Sequence, residues 1–217
     1  MCETFIANHQ FNAIKKHAEN VLNAVRTASD RKVIESVKSS AEAEVAAMFP
    51  LATGERLKLL GEIVNVQTAE DYAKFTHALE PYLTEFPRVT KEQIVKLFPK
   101  NKKLKLPDLA AIDYRYITYL SWLDVASNKL FIVYPLDGKL IGVEGRYTPM
   151  NKKNYCFICR KYDELALFSA VSKKRPPNSS PDYYKAVGNY LCASGHDCNA
   201  NMTDTTALES FIRSVLA

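Results

Sequence analysis

Four cysteines carry the clearest chemistry in this sequence. Two residues separate Cys156 from Cys159, thirty-two more precede Cys192, and five lie between Cys192 and Cys198. Two thiolates from one tight turn can reach a single ion, and Zn²⁺ favours four N or S donors, with sulfur about 2.3 Å away. The second pair is looser, but a turn at Ser194-Gly195 and the start of a helix can close it. Four thiolates leave no open coordination position, so one structural Zn²⁺ is expected and a catalytic metal is not. His196 is the other candidate for the fourth ligand; Cys198 is preferred because zinc readily accepts all-thiolate sets. A redox dithiol at Cys156 and Cys159 is the competing chemistry. The second pair and the lack of a thioredoxin-like βαβ pattern count against it.

Other chemistry is weakly represented. The sequence has no G-x-x-x-x-G-K-[ST] loop, no G-x-G-x-x-G after a strand, no G-x-S-x-G and no H-E-x-x-H. His9, His17 and His77 lie in the helical part outside any catalytic or metal-ligand motif and read as surface or packing residues. A hydrolase using His196 and Asp197 beside the metal conflicts with a closed thiolate site, so no enzyme is expected. Aromatics gather around the cysteines instead: Tyr155, Phe157, Tyr162, Phe168, Tyr183, Tyr184, Tyr190 and Phe211. Lys152, Lys153, Lys173, Lys174, Arg175 and Lys185 are interspersed. Such a mixture suits base stacking beside phosphates or anchors on a basic protein-binding face, with part of it filling the core.

The positioning elements follow from periodicity. Apolar residues recur at helical spacing at Ile14, Ala18, Val21, Leu22 and Val25, and again from Val33 to Met48, with Asp30 as N-cap and Pro50 as stop. Thr53 is expected to open a third helix through Leu57, Leu60 and Val64. Thr68–Asp71 and Thr90–Gln93 read as capping boxes. Short connections between these helices predict a small bundle over residues 1–105, with the basic run Lys100–Pro107 as linker. Residues 106–217 then form the second domain. Arg115–Leu120 and Leu130–Tyr134 are strand-like, Asp137-Gly138 signals a hairpin, and Asp204–Leu216 is a terminal helix. The fold class is α+β, a helical bundle followed by an α/β domain carrying a four-cysteine, treble-clef-like zinc module.

Composition sets the outer limits. Hydrophobic residues at 47% and charged residues at 24% exclude a disordered chain. Residues 1–99 hold 12 basic and 13 acidic side chains, and residues 100–217 hold 17 and 11, so the whole positive excess lies in the second half. That asymmetry points to an acidic partner, either nucleic acid or protein. No apolar run approaches the roughly 20 residues of a membrane span, and no signal peptide is seen at the start. A cytoplasmic monomer with no membrane contact is expected.

His9-Gln10-Phe11-Asn12, Trp122 with Ala126-Ser127-Asn128-Lys129, Tyr155-Cys156-Phe157-Ile158-Cys159, Tyr190-Leu191-Cys192 and Cys198-Asn199 together resemble the FusB/FusC-type proteins, elongation factor G-binding, fusidic-acid-resistance proteins of Gram-positive bacteria. The resemblance runs along nearly the whole chain. It implies that the zinc domain binds the C-terminal domains of elongation factor G. Binding would promote the factor's release from the ribosome, giving fusidic acid resistance by target protection or a related housekeeping role. The contacting positions it implies are Tyr155, Tyr190 and Phe211. Val187 stands where the family has a contacting lysine, and Lys185 is the nearest substitute. The rival reading is an RNA- or ribosome-binding zinc protein that acts independently of elongation factor G.

Overall fold

A computed structural model describes residues 3–172, 180 and 185–217. The basic excursion Lys173–Arg175 and the aromatics Tyr183 and Tyr184 lie outside the described residues. The chain divides into two compact units, Met1–Thr84 and Glu85–Ala217.

The first unit is helical. Helix α1 (Asn8–Thr27) buries Phe11, Ile14, Ala18 and Val21 along one stripe. Helix α2 (Arg31–Ala47) starts at Asp30, whose carboxylate accepts the Lys32 amide at 2.8 Å. Helix α3 (Glu55–Gly61) is capped by Gly54 and not by Thr53, because Gly54 adopts φ 56°, a left-handed value that suits glycine. Helix α4 (Ala69–Leu79) opens on the expected capping box, with the Asp71 amide donating to Thr68 Oγ1 and the Thr68 amide to Asp71 Oδ2. The His9–Asn12 segment lies in the first turn of α1, where Gln10 accepts the Ala7 amide at 2.9 Å and donates to the Met48 carbonyl at 3.3 Å.

The second unit is built on a five-stranded antiparallel meander in the order β1 (Leu120–Asp124), β2 (Lys129–Leu136), β3 (Lys139–Tyr155), β4 (Tyr162–Val171), β5 (Ala186–Cys192). Asp137 and Gly138 both take positive φ, as a two-residue hairpin requires. The expected strand from Arg115 begins later, at Leu120; Tyr114–Tyr116 is a 3-10 turn capped by Asp113. Helix α5 (Lys91–Leu97) has the expected Thr90–Gln93 box, yet it lies in this unit and not with the bundle. Ile94 and Phe98 pack with Leu120, Phe131 and Val133 on one sheet face.

The opposite face carries Leu130, Ile132, Val143, Phe168 and Leu191, with helices α6 (Gly195–Asn201) and α7 (Thr206–Leu216) bringing Cys198, Leu208, Phe211, Ile212 and Val215 to the same core. Helix α7 starts two residues after the expected position, because Asp204 accepts the Thr206 amide at 2.9 Å and lies outside the helix. Two polar ties hold α7 down. Tyr134 donates its hydroxyl to Glu209 at 2.6 Å, and Arg213 forks onto Asp137 with both bonds at 2.8 Å. Among the described residues no helix is long and apolar enough to cross a membrane.

Candidate metal centre and adjoining surface

The four sulfurs arrive from three pieces of the second unit. Cys156 and Cys159 lie in the turn between β3 and β4, Cys192 ends β5, and Cys198 is in α6. The turn is a closed knuckle: the Arg160 amide donates to the Cys156 carbonyl, and the Cys156 amide to the Lys161 carbonyl, both at 2.9 Å. Arg160 takes φ 62° to complete it. The Phe157 amide donates to the Tyr190 carbonyl at 2.8 Å and so docks the knuckle on β5. On the other side, α6 is capped by Ser194, whose Oγ accepts the Asp197 amide at 3.2 Å. A Cβ at Gly195 would meet Ser121 Oγ at 2.0 Å, so glycine lets α6 approach β1 this closely.

Asn199, one residue after Cys198, fixes the same junction. It is 3% exposed. Its carbonyl oxygen accepts the amides of Thr118 and Tyr119 at 2.7 and 3.2 Å, and its amide donates to the carbonyls of Tyr119 and Gly195 at 2.9 Å. Cys198-Asn199 was visible in the sequence, but nothing there marked Asn199 as a clamp.

The sulfur geometry fits a tetrahedral ion. All four Sγ atoms lie within 4.8 Å of one another, with Cys156–Cys198 at 3.7 Å and Cys159–Cys192 at 3.5 Å. Four sulfurs about 2.3 Å from a central Zn²⁺ stand about 3.8 Å apart. All four residues are buried. The donor chemistry agrees. Hydrogen bonding to Cys156 and Cys159, followed by burial, pushes the Cys192 and Cys198 thiols up, while bonds from the other cysteines pull Cys156 down. Such a cluster cannot ionise fully by itself, and a divalent cation is what balances four thiolates. The Tyr119 hydroxyl is buried close by, and burial first, then the charge and bonding of Cys198, hold it well above its ordinary pKa. His196 lies outside the cluster, so Cys198 supplies the fourth sulfur.

The surface beside the centre is uneven. Tyr155 and Tyr190 are 63% and 39% exposed, and Lys185 is exposed just before β5. Tyr155 packs against Tyr162, itself exposed, with ring centroids 5.1 Å apart. Phe211 is different. It is 4% exposed, its ring lying 5.2 Å from Phe157 and 5.6 Å from Phe168. The family resemblance implied a partner contact there, whereas the ring lies under the knuckle, in keeping with the periodic apolar stripe of α7. Tyr162 was counted among the aromatics but not as a contact position.

Comparison with known proteins covers both units. The family model for the N-terminal domain of elongation factor G-binding protein matches residues 5–87, and that for the FBP C-terminal treble-clef zinc-finger matches residues 92–212. The solved structure of the fusidic acid resistance protein FusC is similar over 96% of each chain, at 28% identity and a TM-score of 0.83. No curated protein matches in sequence. The treble-clef match and the sulfur geometry together assign one structural zinc ion to this chain.

Proposed function

We propose, from the premise that this chain belongs to the elongation factor G-binding protein family with its C-terminal treble-clef zinc finger, that it binds elongation factor G and confers fusidic acid resistance by protecting that target. One observation carries the reading: two family models, in order, account for both compact units. The likeness to FusC along 96% of the chain supports the link to the drug. The activity is binding, not catalysis, and a closed four-thiolate site agrees because it offers a substrate no coordination position.

The zinc domain is the natural bearer of the interface, and the C-terminal domains of elongation factor G are its target. Tyr155 and Tyr190 are large exposed rings fixed beside a rigid metal knuckle, the type of anchor that dominates binding energy. Lys185 adds charge that steers encounter with an acidic surface. Phe211 acts from below, holding Phe157 and hence the knuckle that presents Tyr155.

Binding ejects the factor from the ribosome only if the complex favours a conformation with poorer ribosome contacts, since a ligand shifts an equilibrium by its differential affinity alone. The protein acts in the cytoplasm as a monomer, one copy per factor. Sedimentation of ribosomes stalled with elongation factor G and fusidic acid tests the release step. Adding this protein is expected to move the factor to the supernatant, and a factor that stays with the pellet contradicts it.

A further inference from the structure

A cleft of about 1100 Å³ lies within the second unit, running from the end of α5 along β2, β3 and β4 and reaching Val215 of α7. Among the described residues five cations line it: Lys96 and Lys100 from α5 and the loop after it, Lys129 from β2, Arg146 from β3, and Lys185. Glu144 is the only carboxylate among the described residues of the lining. It is already engaged, bonded to Lys129 at 3.2 Å and to the Asn101 amide group. Among the described residues Lys96, Lys100, Arg146 and Lys185 have no ion-pair partner.

The strand register makes this arrangement costly. Lys129 and Arg146 are directly opposed in the antiparallel β2–β3 pair. Like charges at such positions destabilise a sheet. Opposite Arg146 on its other side stands Ser169, so Glu144 relieves Lys129 while no ion pair relieves Arg146 among the described residues. The floor is also held tight: a Cβ at Gly142 would meet the Phe98 ring at 2.8 Å and Leu97 Cβ at 2.9 Å. The positive charge continues past the cleft through the exposed Lys102, Lys103 and Lys105.

We infer that this cleft holds the phosphate backbone of an RNA strand. An acidic protein surface would need desolvated apolar anchors, and the exposed rings Tyr155, Tyr162 and Tyr190 are not in the lining. Phosphates need only cations in line. The charge extends well beyond what a single mononucleotide would fill. Among the described residues no exposed aromatic lines the cleft, and contacts to phosphates carry no sequence information, so the binding is sequence-independent. The choice of RNA over DNA alone rests on the proposed function, whose target works on the ribosome.

The test is fluorescence anisotropy of a short fluorescein-labelled single-stranded RNA with the zinc-loaded full chain. Four free cations predict a slope of log K against log salt of about −3. The double variant Lys100→Glu, Arg146→Glu is expected to weaken RNA binding about tenfold or more and to flatten the slope by about 1.5. Its Tm should stay level or rise, because the carboxylate introduced by Arg146→Glu would then face Lys129. Calorimetry of the same variant with elongation factor G should match wild type, while Tyr155→Ala should leave RNA binding unchanged. Absence of RNA binding at low salt overturns the inference, as does a variant with unaltered RNA affinity. A variant that loses elongation factor G and keeps RNA would instead make the cleft part of the protein interface.

Discussion

Phe157 and Tyr190 are joined through the backbone, the Phe157 amide donating to the Tyr190 carbonyl at 2.8 Å. The bond ties the metal knuckle to the last paired strand, so Tyr155 and Tyr190 share one frame although thirty-four residues separate them. The frame holds only while the cysteines are gathered. Structural zinc contributes on the order of 10 kcal/mol in small modules, comparable with the whole stability of a domain. Chelation at neutral pH is therefore expected to unfold the second unit and abolish partner binding. Fluorescence of Trp122, the single tryptophan, reports it, since that ring stacks on Phe131 at 5.1 Å. Metal analysis should give one zinc per chain, and Cys192→Ser should behave like the chelated protein.

Asn199→Ala leaves the amides of Thr118 and Tyr119 buried without their acceptor. Each unsatisfied buried group costs about 1–3 kcal/mol, so a loss of about 2–4 kcal/mol is expected in urea unfolding. Because α6 carries Cys198, zinc should also be released faster to a chelator. An unchanged release rate would separate the clamp from the metal.

Asp137 and Arg213 give an electrostatic signature. The bidentate guanidinium holds the Asp137 carboxyl below its ordinary range. A depressed folded value stabilises the protein above the unfolded aspartate pKa of about 3.9, and that stabilisation is lost as pH falls through the folded value. Asp137→Asn should lower Tm at pH 7, where the carboxylate is fully charged, and the gap to wild type should narrow in high salt, which screens the exposed pair. The acid side is closed to the test because zinc is lost there first. Asparagine tolerates the positive φ of 50°, so the substitution isolates the charge.

Arg160 sits in the left-handed region, at a cost of about 1–2 kcal/mol for a side chain with a Cβ. Glycine removes that cost but adds chain entropy of about 0.5–1 kcal/mol. Arg160→Gly should therefore raise the urea midpoint slightly, by up to about 1 kcal/mol in stability. A destabilised variant would mean that the Arg160 side chain has a role of its own.

Much of this was legible from the residues alone. The cysteine spacing names the four sulfurs because ligand geometry is local at the knuckle, and capping boxes at Thr68 and Thr90 mark helix starts because they satisfy backbone groups three residues away. What escaped depends on contacts distant in sequence. Helix α5 looks like one more bundle helix; only Ile94 and Phe98, packed on Phe131 and Val133, assign it to the sheet. Phe211 could be read as exposed until the fold laid it against Phe157 and Phe168. The opposition of Lys129 and Arg146 exists only in the β2–β3 register, which no local pattern reveals.

The central claim is association with elongation factor G through the face beside the zinc. Titration calorimetry of the zinc-loaded protein against elongation factor G, with a Tyr155→Ala, Tyr190→Ala double variant as control, tests it most directly. The account predicts one-to-one binding that weakens at least about a hundredfold in the variant, since anchor residues cost about 2 kcal/mol or more each. No heat with the wild-type chain, or equal affinity in the variant, would contradict it.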